Sequence, residues 1–250
     1  MDQYTHLPMI YDRLMQDVDY NSWTKYLVDI IGIHNSSVNN ILELGCGSGN
    51  ITKHLLDMGY EVVGIDISEQ MLELAHEKLK DYEDKVILME QDIRELDFEI
   101  YEIDCILAVN DTFNYILEDD EVRDIFNFIY SHLKETGCFI FDISSPYKLK
   151  TTLGNNTYGE SMEDLVYLWE NYFDDEHKEL TMDVNFFIKN EEKDTYMRFE
   201  ETHIQKAHDP LKLTRFLEDI GFKNINAYSD FDISPGYNDE CQRVARSCNR

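Results

Sequence analysis

The chain has 250 residues, 43% of them hydrophobic, which suffices for one large domain or a domain carrying an inserted piece. Its 51 acidic against 22 basic side chains give a formal charge of −29, a field that repels a phosphate backbone and favours neutral or cationic partners; nucleic acid is not expected among them. No apolar run approaches the roughly eighteen residues of a membrane span, and the opening MDQYTH has neither a basic nor an apolar segment of the secretory kind, so no membrane partner is expected.

The five cysteines (Cys46, Cys105, Cys138, Cys241, Cys248) show no CxxC spacing. They read as reduced thiols of a cytoplasmic protein without a metal site. Along the chain, LPMIYDRLMQDV and YNSWTKYLVDIIG carry apolar residues at three- and four-residue spacing and predict two helices. The polar link HNSSVNN follows. Strands are then predicted at 41–44, 61–65, 86–90, 103–109 and 138–143, with helices at 50–58, 68–80 and 121–133 between them. Ser68 ahead of EQMLELA reads as an N-cap with an acidic first turn. Short apolar strands alternating with amphipathic helices predict a doubly wound, mostly parallel sheet. SSPY (144–147) reads as a helix start with proline near its first position.

The pattern changes after residue 150. LVYLWENYF, KELTMDVNFFIKN and DTYMRFEETHIQK have period-two character and are joined by the polar turns DDEH and NEEKD, as in an antiparallel meander. A helix at 210–220 with Gly221 as its stop, a strand at 222–228 and a last, unusually polar strand at 242–247 complete the chain.

The first strand delivers ILELGCGSGN. Ligands of open α/β sheets bind beyond the carboxyl ends of the strands, and a glycine turn there lets backbone N–H groups and a helix N-terminus approach them closely. A dinucleotide-binding turn prefers G-x-G-x-x-G; here Gly45, Gly47 and Gly49 give G-x-G-x-G, with Asn50 in the place of the third glycine. Asp66 ends the second strand, where a carboxylate can accept both hydroxyls of a ribose. Asp92 lies just past the third strand, where an adenine amino group could be read. Asn110 ends the fourth.

The run ELGCGSGN…GIDISEQML…QDIREL resembles the class I S-adenosylmethionine-dependent methyltransferases. IYDRLMQDVDYNSW, the meander and HIQKAHDPLKLTRFLEDIGF resemble a bacterial small-molecule subgroup that is similar to aminosugar and glycine-type N-methyltransferases and an uncharacterised Firmicutes methyltransferase group. The resemblance implies an α/β fold, a doubly wound, seven-stranded, mostly parallel Rossmann-like sheet with a three-stranded antiparallel insertion as a lid. Residues 1–150 and 207–250 would form the cofactor-binding core with an N-terminal helical cap, and 151–206 the substrate lid. It also implies S-adenosyl-L-methionine as cofactor. Gly45, Cys46, Gly47 and Gly49 would surround its methionine part, Asp66 would hold the ribose, and Ile67, Asp92 and Ile93 would meet the adenine. Tyr11 and Trp23 would close over it, with Asn110 contacting it from the fourth strand and Glu43 organising the loop from behind.

A DNA methyltransferase would carry an Asn/Asp-Pro-Pro-aromatic tetrad after the fourth strand, where this chain has NDTF. Residues 151–206 hold fourteen acidic and five basic side chains, which disfavours an anionic substrate. The expected acceptor is a small neutral or cationic molecule offering an amine or hydroxyl. Strand alternation puts Met197, Phe199, Glu201 and His203 on one face, and the Glu201–His203 pair there is the candidate general base or amine-binding pair. Two alternatives stay open: a cofactor-binding regulatory or scaffold module without turnover, and an NAD-dependent oxidoreductase. Either a monomer or a homodimer fits the sequence.

Overall fold

A computed structural model describes residues 7–34, 37–98, 102–190 and 195–250. The opening MDQYTH, residues 35–36 of the HNSSVNN link and 191–194 of the NEEKD turn lie outside the described residues. Two helices, α1 (Pro8–Leu14) and α2 (Tyr20–His34), precede β1 (Asn40–Leu44), α3 (Asn50–Asp57), β2 (Glu61–Asp66), α4 (Glu69–Leu79) and β3 (Val86–Glu90). Then come β4 (Ile103–Ala108), α5 (Asp119–His132) and β5 (Leu133–Ser144). Four further strands follow: β6 (Thr157–Ser161), β7 (Leu165–Asp174), β8 (Glu179–Lys189) and β9 (Tyr196–Lys206). The chain ends in α6 (Pro210–Ile220), β10 (Lys223–Ser229) and β11 (Arg243–Asn249).

The first sheet has the order β10-β11-β5-β4-β1-β2-β3. Strands β1 to β5 run parallel, and at one side β11 runs antiparallel to β5, with β10 antiparallel to β11 and so aligned with the others. All six residues of β4 are buried, as befits a strand covered on both faces. Alternation splits its neighbours between two cores. Leu42, Leu44, Phe139 and Phe141 pack toward α5 and α6, whereas Ile41 and Ile140 pack toward α2 and α3. Local signals set the helix ends. Ser68 Oγ accepts the Met71 N–H, Asp209 accepts that of Leu211, and Gly221 turns out of α6 at φ +114°.

Because the chain leaves β1 toward β2 on one side and returns to β4 on the other, the carboxyl ends of β1 and β4 flank the crevice where the strand order reverses. That crevice receives the glycine turn and Asn110.

The second sheet, β6-β7-β8-β9, is antiparallel and has four strands where the sequence predicts three. The addition is β6, TYGES, an edge strand with four of its five residues exposed, so it carries no apolar alternation to read. Strand β5 likewise begins five residues earlier than expected. Its polar KETG stretch joins β4 across an irregularity between Ile103 and Cys105. Pro146 opens a helical segment that continues as a π-helical turn, Lys148–Leu153. The polarity of β11 has a simple cause: buried Arg246 donates to the Pro210 carbonyl, and the largely covered Arg243 meets two carboxylates.

One buried amide joins the two sheets. Asn114, in the 3-10 turn Thr112–Tyr115 that follows β4, donates to the carbonyls of Ser144 in β5 and Lys206 in β9 and accepts the Ser144 N–H. His208 Nε2 donates to the carbonyls of Phe113 and Ile116 and ties down the same turn. Replacing Asn114 by Ala strands three buried backbone groups. Asn114→Ala is expected to cost about 3 kcal/mol, with a fall in melting temperature of about 6–12 °C in a thermal melt.

Candidate functional site

A cavity of about 630 Å³ opens at the crevice between β1 and β4. Its floor is the glycine turn. Gly45, Gly47 and Gly49 all have positive φ (+72°, +54° and +77°), a region L-residues with a Cβ rarely enter. Gly45 is also close-packed: a Cβ there would stand 2.4 Å from Thr112 Oγ1, so only glycine lets the turn meet the chain after β4. Gly47 is different, because a Cβ there would have nothing within 4 Å and the turn lies open to the cavity. Gly49 does not line the cavity. It caps α3 and lets that helix approach Ala75 and Leu79 of α4.

Asp66 at the end of β2 accepts the N–H groups of Gly47 (2.8 Å) and Ser68 (3.0 Å), one on each carboxylate oxygen. Burial pushes its carboxyl up and the backbone donors pull it partly back. Glu43 also lines the cavity, at 2% exposure, and its Oε2 accepts the Thr52 hydroxyl at 2.5 Å. Burial raises its carboxyl to about 7, against the single opposing hydrogen bond. Asp92 and Ile93 line the far end, with Ile67 between. Burial raises Asp92, but the Arg94 guanidinium beside it prevails and holds the carboxyl below its ordinary value.

The opposite wall comes from the turn after β4 and from α1. Asn110 and Asp111 both adopt left-handed backbone conformations (φ +61° and +65°), a strained pair of non-glycine residues. The strain is held by buried charges. Asp142 of β5 accepts the Asp111 N–H, and Arg243 of β11 reaches both carboxylates, at 2.8 Å and 2.5 Å. Asn110 Nδ2 donates to the Tyr11 hydroxyl at 3.0 Å, and burial pushes that phenol well up. Helix α1 is strapped across the turn by Asp12, which accepts from Ser48, Asn50 and Lys78. Arg13 pairs with Asp164, just before β7 of the second sheet, and Ile10 packs on Leu165 and Phe186.

Of the residues singled out in the sequence, Tyr11, Gly45, Cys46, Gly47, Asp66, Ile67, Asp92, Ile93 and Asn110 line this one cavity. Burial pushes the Cys46 thiol well up, so it stands there as a small apolar wall. Trp23 is not among the lining residues. It is buried behind Tyr20, stacks parallel to that ring at 6.1 Å, and carries the Arg243 guanidinium 4.5 Å over its face. Glu201 and His203 are also absent from the lining, which takes Thr202 and Ile204 from β9; the pair lies buried on the alternate face. The sequence reading missed Tyr20, Thr112, Tyr115 and the Asp12–Lys78 strap. NDTFNY held two of them, at the one strand end where a turn outside any regular element carries the side chains.

The chain belongs to the class I S-adenosylmethionine-dependent methyltransferases, a family that the doubly wound sheet, glycine turn and strand-end acidic residues fit. Residues 41–137 match the model of a methyltransferase domain. The methyltransferase-family protein YqeM of Bacillus subtilis is 30% identical over 95% of this chain and 94% of its own. The crystal structure of an S-adenosylmethionine-dependent methyltransferase from Clostridium acetobutylicum superposes with a TM-score of 0.86, at 31% identity over 98% of both chains. The sugar N-methyltransferase KedS8 from Streptoalloteichus shares the fold, with a TM-score of 0.80 at 15% identity over 96% of this chain and 92% of its own. Among the described residues no helix is long and apolar enough to cross a membrane.

The Glu43 carboxyl generates a pH signature. Its folded-state pKa of about 7 lies above the ordinary 4.5, so between those values the folded chain binds more proton than the unfolded one. Its contribution to stability is therefore lost as pH rises through that window. Relative to Glu43→Gln, which keeps a partner for Thr52, the wild type is expected to lose about 3 kcal/mol between about pH 4.5 and 7. Denaturant titrations of both proteins across that range check it.

Proposed function

We propose that the protein transfers a methyl group from S-adenosylmethionine to a small acceptor through an amine nitrogen or a hydroxyl oxygen. The observation that carries the reading is the Asp66 carboxylate, set in the cavity wall with one oxygen on the Gly47 N–H of the glycine turn and the other on the Ser68 N–H at the head of α4. Each oxygen keeps a lone pair for one hydroxyl of a ribose diol. The rest of the lining suits the same molecule. The open face at Gly47 gives room beside the turn, and Gly45, Cys46 and Gly47 would bound the methionine part, with Gly49 shaping the turn from behind. Ile67 and Ile93 would sandwich the adenine, and Asp92 would take its amino group by sharing itself with Arg94. Tyr11 and Asn110 close the other wall. Trp23 would act at one remove, by holding Tyr20 and Arg243.

When bound, S-adenosylmethionine supplies a methyl group made electrophilic by the sulfonium charge. The protein's part is orientation and exclusion of water, holding the acceptor lone pair about 3–3.5 Å from the carbon in line with the bond that breaks. Glu43, Asp66, Asp92, Glu118 and Glu121 face the cavity against Arg94, an acidic lining that favours a cation and penalises an anionic acceptor. A neutral or cationic acceptor follows. The His203–Glu201 pair would take the proton released. The second sheet and α1 would form the lid, and the buried free thiols suit a cytoplasmic enzyme.

Incubation with methyl-labelled S-adenosylmethionine and a panel of small amines and alcohols tests the reading. Label is expected in a neutral or cationic compound. Tight cofactor binding with no product from the panel or from a cell extract would favour a scaffold role instead. Asp66→Ala is expected to weaken S-adenosylhomocysteine binding by about 1.5–3 kcal/mol for each ribose hydroxyl released, measured by calorimetry.

A further inference from the structure

Alternation along β9 turns Thr202 and Ile204 to the cavity and buries Glu201 and His203, at 6% and 3% exposure, on the other face. A base in that position needs a carrier. One side chain bridges the gap. Tyr115 lines the cavity, and its hydroxyl lies 3.5 Å from His203 Nδ1, with the two rings edge to face. On the far side of the imidazole, Nε2 lies 3.2 Å from Glu201 Oε2, while Glu201 Oε1 accepts the Leu7 N–H at the head of α1.

With the imidazole neutral, the hydrogen bonds of His203 run in one direction. A carboxylate that receives a backbone N–H on one oxygen accepts on the other, so Nε2 carries the proton and donates it to Glu201. Nδ1 is left with a lone pair, and the Tyr115 hydroxyl donates to it. The arrangement follows the logic of a hydroxyl, an imidazole and an orienting carboxylate, with a phenol at the substrate end. The turn that presents Tyr115 is held by Asn114 and His208, which fixes the hydroxyl at the seam between the two sheets.

We propose that Tyr115 is the catalytic residue that contacts the acceptor and passes its proton to His203, with Glu201 holding the imidazole; this rests on the methyl-transfer reading above. The acceptor lone pair forms the new bond to the methyl carbon, and the pair of the breaking carbon–sulfur bond stays on sulfur. The acceptor's proton moves to the Tyr115 oxygen as the tyrosine's own proton moves to Nδ1. Tyr115 ends unchanged and His203 ends as an imidazolium beside Glu201. The long apo distance to Nδ1 shortens as the acceptor hydrogen-bonds to the phenol.

The test compares full-length wild type, Tyr115→Phe, His203→Gln and the double variant, using ethanolamine, which offers both an amine and a hydroxyl, as probe acceptor. In protein labelled with ¹⁵N-histidine, His203→Gln identifies the His203 signals, which are expected to report a protonated Nε2 and a bare Nδ1. Tyr115→Phe, which keeps the ring, is expected to move the Nδ1 resonance. It should slow single-turnover methylation by roughly 100-fold, the low end of general-base contributions, with S-adenosylhomocysteine affinity within about twofold of wild type. The double variant should be no slower than either single one, because the groups act as a unit. An unmoved Nδ1 resonance, or wild-type turnover by Tyr115→Phe, overturns the proposal. A wild type that methylates neither ethanolamine nor the wider panel counts against the function itself, and the histidine resonances alone then decide the chain.

Discussion

The site depends on a buried ion cluster at the end of the fourth strand. Asn110 and Asp111 leave β4 in left-handed conformations that cost free energy for residues with side chains. Arg243, Asp142 and Asp111 hold them there, and the face of Trp23 covers the guanidinium. Burial presses both acids upward; the cation wins at Asp111, which sits below its ordinary range, while Asp142 stays raised. Removing Arg243 would leave the buried Asp142 without its cation and Asp111 with only Lys148 at 3.7 Å, the costly case for such clusters. Because the turn takes this path, Asn110 meets Tyr11, Thr112 presses on Gly45 and Tyr115 reaches the second sheet.

The second constraint is the junction between the sheets. Strands β6 to β9 pair only among themselves, so their position over the cavity is set by a few polar bonds and by packing. Asn114 reaches the end of β9 directly, and Ile10 of α1 packs against Leu165 and Phe186. Helix α1 meets both halves, through Asp12 to the glycine turn and through Arg13 to Asp164. The first of these bonds is partly buried; the Arg13–Asp164 pair is exposed and contributes little by itself.

The parallel sheet was legible in the sequence because each of its strands is a short apolar run and each helix has one apolar face. The strand-end residues were legible for the same reason: once strands are placed, Asp66, Asp92 and Asn110 fall at the crevice by topology. Less visible were contacts that depend on a turn or on a distant partner. TYGES shows no alternation because β6 is an exposed edge. The polar CQRVARS hid a sheet strand because its arginines find carboxylate and carbonyl partners that only the fold brings near. Trp23 was expected at the ligand only through the family resemblance, and its ring is spent on Arg243 and Tyr20. His203 was a candidate base by its place beside Glu201, but which side of the strand meets the cavity was not decided by period alone, and Tyr115 carried no signal beyond its place after β4.

The chemistry therefore divides along the fold. The first sheet supplies a rigid, acidic cradle whose geometry is fixed by glycines and buried carboxylates. On the proposed reading, the second sheet and α1 supply the wall that meets the acceptor. The central claim is that one cavity holds the methyl donor with its reactive end toward Tyr115. A crystal structure with S-adenosylhomocysteine tests it most directly. The account predicts the ribose on the Asp66 carboxylate, the adenine between Ile67 and Ile93, and the thioether sulfur facing the turn at 110–115. A ligand seated elsewhere, or one whose ribose makes no contact with Asp66, would contradict it.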